Sequence, residues 1–154
     1  MHGLVIPQQV SINGNFAFDP TSTFYVEIDS LLSYDGVIVN GTVSLADAAL
    51  SGTTPGSLNI LAGDLYFIVN NDGVDPVTGL LSYYFPGNGT IPDNGIITLG
   101  GTPFRISYDA DFATNAFNGG NDVALEAQVS VPEPSSMLLL GLGAVLIARR
   151  RRKA

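Results

Sequence analysis

The sequence predicts an all-β protein followed by one C-terminal transmembrane helix. Three observations support this prediction. Apolar and polar residues alternate with a period of two in short segments, which is typical of half-buried strands. Pairs that favour tight turns, such as Asn13-Gly14 and Asn40-Gly41, separate those segments. A helical period does not persist in residues 1–130, whereas residues 135–148 form an apolar run without a charged side chain.

The predicted strands follow one another through the first 130 residues. The clearest alternates Phe24, Val26 and Ile28 on one face with Tyr25, Glu27 and Asp29 on the other. A turn is predicted over residues 45–50. The predicted strands are residues 10–12, 15–18, 24–29, 37–39, 42–45, 58–61, 65–69, 80–85, 96–99, 104–108 and 122–131.

The C-terminal end combines a proline pair, an apolar run and a cluster of cations. Fourteen helical residues span about 21 Å against a hydrocarbon core of about 30 Å, so the span needs help from flanking side chains. Cationic side chains can supply that help by extending toward the headgroups, and the positive-inside rule places them in the cytoplasm. Pro132 and Pro134 resist helix, so the helix is predicted to begin after Pro134. The cations are Arg149, Arg150, Arg151, Arg152 and Lys153.

This tail resembles the PEP-CTERM sorting signal of exported bacterial proteins. The resemblance is carried by Val131, Pro132, Glu133 and Pro134, followed by the apolar run and the arginines. It implies recognition by an exosortase, a membrane protease or transpeptidase of bacteria that make exopolysaccharide and biofilm. The alternative is an ordinary tail anchor that is never cut.

The tail divides the chain into four predicted parts. Residues 1–130 form an extracytoplasmic β domain, and 131–134 are the sorting motif. Residues 135–148 are the transmembrane helix, and 149–154 are a cytoplasmic basic tail. Residues 1–10 contain no lysine, arginine or long apolar stretch and do not resemble a signal peptide. We therefore expect that the chain is the end of a longer protein.

Many short strands are consistent with either a solenoid or a β-sandwich, and periodicity alone does not choose between them. Residues 34–45, 71–81, 104–108 and 120–125 are similar to the closing segments of autotransporter-like β-strand repeat proteins. That resemblance implies the end of a right-handed parallel β-helix, with the β-sandwich as the alternative.

Charge and composition exclude several functions. All 14 acidic residues precede Ser135, where Arg105 is the only Lys or Arg, so the body is strongly acidic and should repel nucleic acid and anionic headgroups. The chain has no cysteine, which removes thiol catalysis and thiolate metal sites. Its single histidine, His2, lies at the start of the chain. Catalytic residues and a cofactor are therefore not predicted.

Three groups of acidic residues could serve a glycosidase, namely Asp72 with Asp75, Asp109 with Asp111, and Asp122 with Glu126. Turn formation is the favoured explanation, since aspartate side chains bond to nearby backbone.

Residues 119–125 echo part of a calcium-binding nonapeptide and make Asn121 and Asp122 candidate ligands for Ca²⁺. A turn before the final strand explains the same residues, and is preferred.

Exopolysaccharide is a second candidate ligand, because exposed tyrosines can stack on sugars. Sheet packing is the commoner role of tyrosine at strand spacing. The tyrosines concerned are Tyr25, Tyr66, Tyr83, Tyr84 and Tyr108.

The sequence thus predicts an exported surface or extracellular-matrix protein that is not an enzyme. It is anchored in the inner membrane by its tail until an exosortase processes it, and then lies at the cell surface or outside the cell. Its predicted partners are the exosortase and membrane lipid. A calcium- or exopolysaccharide-binding module is one alternative function, and a carbohydrate-active enzyme is the other.

Overall fold

The computed structural model describes residues 8–56, 59–84 and 89–128. The predicted sorting motif, transmembrane helix and basic tail therefore lie outside the described residues. Within them the secondary structure is predominantly β-strand, which confirms the all-β prediction for the body. The strands are β1 Gln9–Asn13, β2 Phe16–Ala17, β3 Thr23–Ser30, β4 Ser33–Tyr34, β5 Gly36–Asn40, β6 Val43–Ser44, β7 Ala49–Thr53, β8 Leu65–Asn71, β9 Ser82–Tyr83, β10 Ile96–Leu99, β11 Thr102–Ala110 and β12 Asp122–Ala127.

The first strands of the chain pair in parallel with later strands in the same order. β1 pairs with β5 and β5 with β8, β2 pairs with β6, and β3 pairs with β7 and β7 with β9. Gln9 lies opposite Gly36 and Phe16 opposite Val43, a spacing of 27 positions in both sheets. The same path through three sheets is therefore followed repeatedly, each time displaced by one strand.

The two Asn-Gly turns lie directly against each other. Asn40 Nδ2 donates to Asn13 Oδ1 at 2.9 Å, and the Gly14 amide donates to the Asn40 carbonyl oxygen at 3.0 Å. A Cβ on Gly41 would lie 2.7 Å from the Gly14 carbonyl carbon, and the φ of Gly41 is +155°. Only glycine therefore lets these two turns approach so closely.

The last three strands extend the first sheet in the antiparallel sense. β12 pairs with β8, β11 with β12, and β10 with β11, which completes a six-stranded sheet in the order β1-β5-β8-β12-β11-β10. The main core lies between this sheet and the sheet of β3, β7 and β9. Its largest fully buried side chains include Tyr66, Phe104, Ile28, Leu45 and Leu50.

Three local predictions need correction. The turn predicted over residues 45–50 is shorter, because Ala46 and Asp47 take positive φ angles and β7 begins at Ala49. Of the segment predicted at 58–61, residues 59–61 are not strand, although Ile60 is buried. Within the described part of residues 80–85, only Ser82–Tyr83 is strand.

β12 is buried on both faces rather than one. Val123 and Leu125 face the main core as the alternation predicts, but Ala124 is also fully buried. Ala124 packs in a second cluster with Phe67 and Ala110. The segment that follows β11 contributes Phe112, whose ring meets Phe67 edge-on with centroids 5.2 Å apart. The outer face of the sheet is therefore partly covered.

Candidate functional site

The end of β12 is the point from which the chain continues toward the predicted sorting tail. The Ala127 amide donates to the Asp64 carbonyl oxygen, and the Gly63 amide donates to the Ala127 carbonyl oxygen, both at 2.9 Å. One residue further, the Gln128 amide donates to the Pro103 carbonyl oxygen at 2.8 Å. These bonds hold the last strand on both sides, so the tail departs from a defined position on the body.

A charged cluster lies beside this exit. Arg105 donates from Nη2 and Nε to Glu126 Oε2 at 2.7 and 3.1 Å, and its guanidinium carbon lies 4.3 Å from the centre of the Phe117 ring. Gln128 Nε2 donates to the same Glu126 oxygen at 2.6 Å. Glu126, one of the acidic residues considered for a glycosidase, thus takes part in an ion pair that links β11 to β12.

Asp122, the other acidic residue of that pair, is buried and bonded to backbone. Its Oδ1 accepts from the Asn71 amide and its Oδ2 from the Phe112 amide, both at 2.7 Å. Burial raises the pKa of Asp122 above its usual value of 3.8, and the two amide bonds act in the opposite sense. In this geometry the carboxylate joins the end of β8, the segment after β11 and the start of β12.

Asn121, the second residue of the predicted calcium site, also bonds to backbone. Its Nδ2 donates to the Gly73 and Asp75 carbonyl oxygens at 2.6 and 3.1 Å. Asn71 Nδ2 donates to the Asp75 carbonyl oxygen at 2.6 Å, while the buried Asn71 Oδ1 has no hydrogen-bond partner among the described residues. In the described ranges, no group of three His, Asp or Glu residues is arranged to hold a metal ion.

Of the other two acidic pairs, Asp109 lies near the end of β11, and Asp111, Asp72 and Asp75 lie outside the strands. Asp109 Oδ1 accepts from Ser107 Oγ at 2.8 Å. Asp111 Oδ1 accepts from the Thr114 amide at 3.1 Å, and hydrogen bonds from Thr114 lower the pKa of Asp111. Asp72 and Asp75 are exposed. The turn role predicted for these aspartates is confirmed at Asp111.

Two of the five tyrosines considered for sugar stacking have internal roles. Tyr66 is fully buried, and its hydroxyl donates to Asp64 Oδ2 at 3.3 Å. The Tyr108 hydroxyl donates to the Ile91 carbonyl oxygen at 3.0 Å and accepts from the Leu81 amide at 3.2 Å. Burial raises the pKa of both phenols. Stacking on sugars is therefore wrong for Tyr66, and its ring packs in the core as the alternative predicted.

A cleft of about 400 Å³ lies where β9 ends beside β7. Within β7, β9 pairs with Ala49 and Leu50. The cleft lies between the rest of β7 and β10. The Tyr83 hydroxyl donates to the Ile96 carbonyl oxygen at 3.5 Å across one end. The cleft is lined by Leu50, Ser51, Gly52, Tyr83, Tyr84, Ile96, Ile97, Thr98 and Leu99.

Thr54 closes the other end of the same gap. Its hydroxyl lies 3.1 Å from Thr102 Oγ1 and donates to the Gly100 carbonyl oxygen at 3.2 Å. Sequence reasoning missed the cleft because β7 was not predicted as a strand. The 27-residue spacing of the Asn-Gly turns is the signal that could have revealed it, since a similar spacing of 26 residues relates Thr23 to Ala49 in the register of β3 and β7.

None of the described residues belongs to a helix that is long and apolar enough to cross a bilayer.

Comparison with known proteins identifies the tail. Residues 130–153 match the PEP-CTERM protein-sorting motif, which confirms the resemblance seen at Val131 to Pro134 and the residues after them. The chain thus carries a signal for exosortase-dependent sorting of an exported protein. No curated protein and no solved structure matches the chain.

Proposed function

We propose that this chain is an exported bacterial surface or extracellular-matrix protein that is sorted through its tail and has no catalysis of its own. The observation that carries the proposal is the PEP-CTERM motif at residues 130–153. Residues 135–148 cross the inner membrane, and Arg149 to Lys153 stay in the cytoplasm. An exosortase then grips the segment around Glu133 and releases the body to the cell surface or matrix.

The charge distribution supports this topology. The acidic residues all lie before the apolar run, whereas five of the six cations follow it. The five cations after the apolar run resist translocation and therefore favour a single orientation of the tail in the membrane.

The fold supports a structural role for the body. We infer that its parallel strands are successive coils of a right-handed β-helix closed by β10, β11 and β12. Support comes from three parallel pairings that repeat in chain order and from the stacked Asn-Gly turns. Parallel crossovers are right-handed in almost all proteins. Such a coil stack gives an extended, rigid shape that suits a matrix component.

The sorting proposal is tested in a host that carries an exosortase. Wild-type protein should lose its tail and leave the membrane fraction, whereas Glu133→Ala and Pro134→Ala should accumulate as full-length, membrane-bound protein. Ser135→Ala is the matched control, since it changes a neighbouring residue outside the four-residue motif. A host without exosortase should hold the wild type in the same state as the variants. Unchanged amount, length and location of the Glu133→Ala protein would contradict the proposal.

The cleft between β7 and β10 favours exopolysaccharide binding as a second function. It is partly open, and it combines the Tyr84 ring with the hydroxyl groups of Ser51 and Thr98. Aromatic faces and hydroxyls are suited to the two faces and edges of a sugar ring. Tyr84→Ala should abolish retardation of the protein in a gel that contains the host's exopolysaccharide. Tyr25→Ala is the matched control, because Tyr25 is 53% exposed against 54% for Tyr84 and does not line the cleft. Equal migration of all three proteins with and without polysaccharide would exclude this function.

Calcium binding near Asp122 remains a separate proposal. The buried Asn71 Oδ1, which lacks a hydrogen-bond partner among the described residues, is an oxygen of the kind that Ca²⁺ prefers. Adding Ca²⁺ should then raise the melting temperature of the wild type but not of Asn71→Ala. A melting curve that Ca²⁺ does not move in either protein would rule the site out.

A further inference from the structure

Four large apolar side chains are exposed in the β3–β4 turn, in the loop before β8 and in the segment after β11. Their exposed fractions are 45% for Leu31, 95% for Leu32, 65% for Leu61 and 47% for Phe112. We call these four residues the exit patch. Large apolar side chains that are exposed together mark surfaces that contact a membrane or another protein.

A shallow depression of about 210 Å³ is lined by two members of the exit patch. Leu31 and Phe112 both line it, together with Gly63, Asp64 and Leu65. Leu61 belongs to the same loop as Gly63 and Asp64, because its amide donates to Asp64 Oδ2 at 2.7 Å. Leu31 and Phe112 therefore line one depression, while Leu32 and Leu61 belong to the chain segments that contribute Leu31 and Asp64 to it.

The tail departs from the wall of this depression. The Gly63 amide, in the loop that lines it, donates to the Ala127 carbonyl oxygen at the end of β12. Six residues, 129–134, separate Gln128 from the apolar run. Even fully extended, the chain from Gln128 to Ser135 covers at most about 25 Å, so a membrane that holds the apolar run lies within that distance of Gln128.

We propose that the exit patch contacts the lipid bilayer while the tail is anchored, so that the body lies against the membrane beside its own processing site. This inference rests on the proposed membrane insertion of the tail. The leucine and phenylalanine side chains enter the boundary between headgroups and acyl chains, where apolar burial is favourable.

The chemistry of the patch favours lipid contact through apolar insertion rather than through charge. Asp64 lines the depression, and its Oδ2 accepts from the Leu61 amide and the Tyr66 hydroxyl. Arg105 is the only Lys or Arg before the apolar run, and it is paired with Glu126. The described body therefore offers anionic headgroups no free cation, and we expect a zwitterionic bilayer to be sufficient for the contact.

The absence of cysteine from the sequence allows a direct test on the full chain. Leu32→Cys and Val74→Cys are each labelled with a fluorophore that responds to polarity, and the protein is reconstituted into phosphatidylcholine vesicles. Val74 is the matched control, since it is 97% exposed against 95% for Leu32. It follows the far end of β8, whose seven residues put about 20 Å between the two ends of that strand.

The proposal predicts a blue-shifted emission at position 32 that spin-labelled lipid quenches at least twofold, while position 74 keeps the emission of a dye in water. If the labelled chain floats with the vesicles but both dyes report water, or both report lipid equally, the proposal is wrong and the tail insertion still stands. If the chain does not float with the vesicles at all, the proposed membrane anchor fails as well. If position 32 becomes shielded only after exosortase is added to the membrane, the patch binds the enzyme and lipid contact is refuted.

Discussion

Replacing Asp122 by alanine should destabilise the protein strongly. The carboxylate is 4% exposed and accepts two backbone amides at 2.7 Å, those of Asn71 and Phe112. Alanine would leave the buried Asn71 amide and the partly buried Phe112 amide without an acceptor, and the second donor loses less because water can reach it. An unsatisfied buried donor costs about 1–3 kcal/mol, so the free energy of unfolding should fall by about 2–5 kcal/mol. Domains of this kind have a stability of only about 5–15 kcal/mol.

Urea unfolding of the purified full-length protein at pH 7 measures this change. Far-UV circular dichroism and tyrosine fluorescence both report on the body, and the sequence contains no tryptophan. Asp72→Ala is the matched control, because Asp72 is an exposed aspartate one residue from Asn71. It should change the stability by no more than about 0.5 kcal/mol. A loss below 1 kcal/mol at Asp122, or one equal to that of Asp72→Ala, would refute the role assigned to the carboxylate.

Three further predictions concern stability. First, because burial raises the pKa of Asp122, the folded protein binds the carboxyl proton more tightly than the unfolded chain does. The contribution of this group to the free energy of unfolding is therefore greatest below pH 3.8 and declines as the pH rises through the raised pKa. Asp122→Asn should flatten that part of a plot of unfolding free energy against pH, and an unaltered slope would count against this prediction. Second, Gly52→Ala places a Cβ against the Val26 carbonyl oxygen, so the free energy of unfolding in urea should fall by about 1–3 kcal/mol. A variant as stable as the wild type would show that β3 and β7 do not approach so closely. Third, Arg105→Gln removes the ion pair with Glu126, in which the Arg105 side chain is 37% exposed and the Glu126 side chain 20% exposed. The free energy of unfolding should fall by about 1 kcal/mol at low salt and by less at 1 M NaCl. A loss that salt does not reduce would argue for packing as the main contribution.

The path of the chain through its sheets was predictable only in part. The Asn-Gly pairs at 13–14 and 40–41 were predicted as turns, and the structure contains both. Their spacing of 27 residues was not used, although it also relates Val10 to Val37 in the register of β1 and β5. A search for this internal repeat would have predicted the parallel pairing.

β7 shows why other elements were missed. Its sequence, Ala-Leu-Ser-Gly-Thr, has weak strand propensity and contains a glycine. It becomes a strand because β3 pairs with it along five residues, and because Gly52 allows the Val26 carbonyl oxygen to come close. Tertiary pairing therefore overrides local preference at this position.

Asp122 and Ala124 illustrate the same limit for the candidate sites. Both lie on the face of the last strand opposite Val123 and Leu125, and both are buried because the segment after β11 folds over that face. The calcium hypothesis treated Asp122 as a free ligand in a turn. Its role in bonding three segments depends on residues 51 and 10 positions away.

Local sequence is enough to identify the strands with strong alternation, the glycine turns and the sorting tail. Each of these depends on neighbours in the chain, and a sorting motif is recognised as a short continuous peptide. Strand partners, the cleft between β7 and β10, the burial of Asp122 and the clustering of the exit patch were decided by tertiary structure. These features join residues that lie tens of positions apart, and contacts over such separations form only when the whole body buries its apolar side chains together.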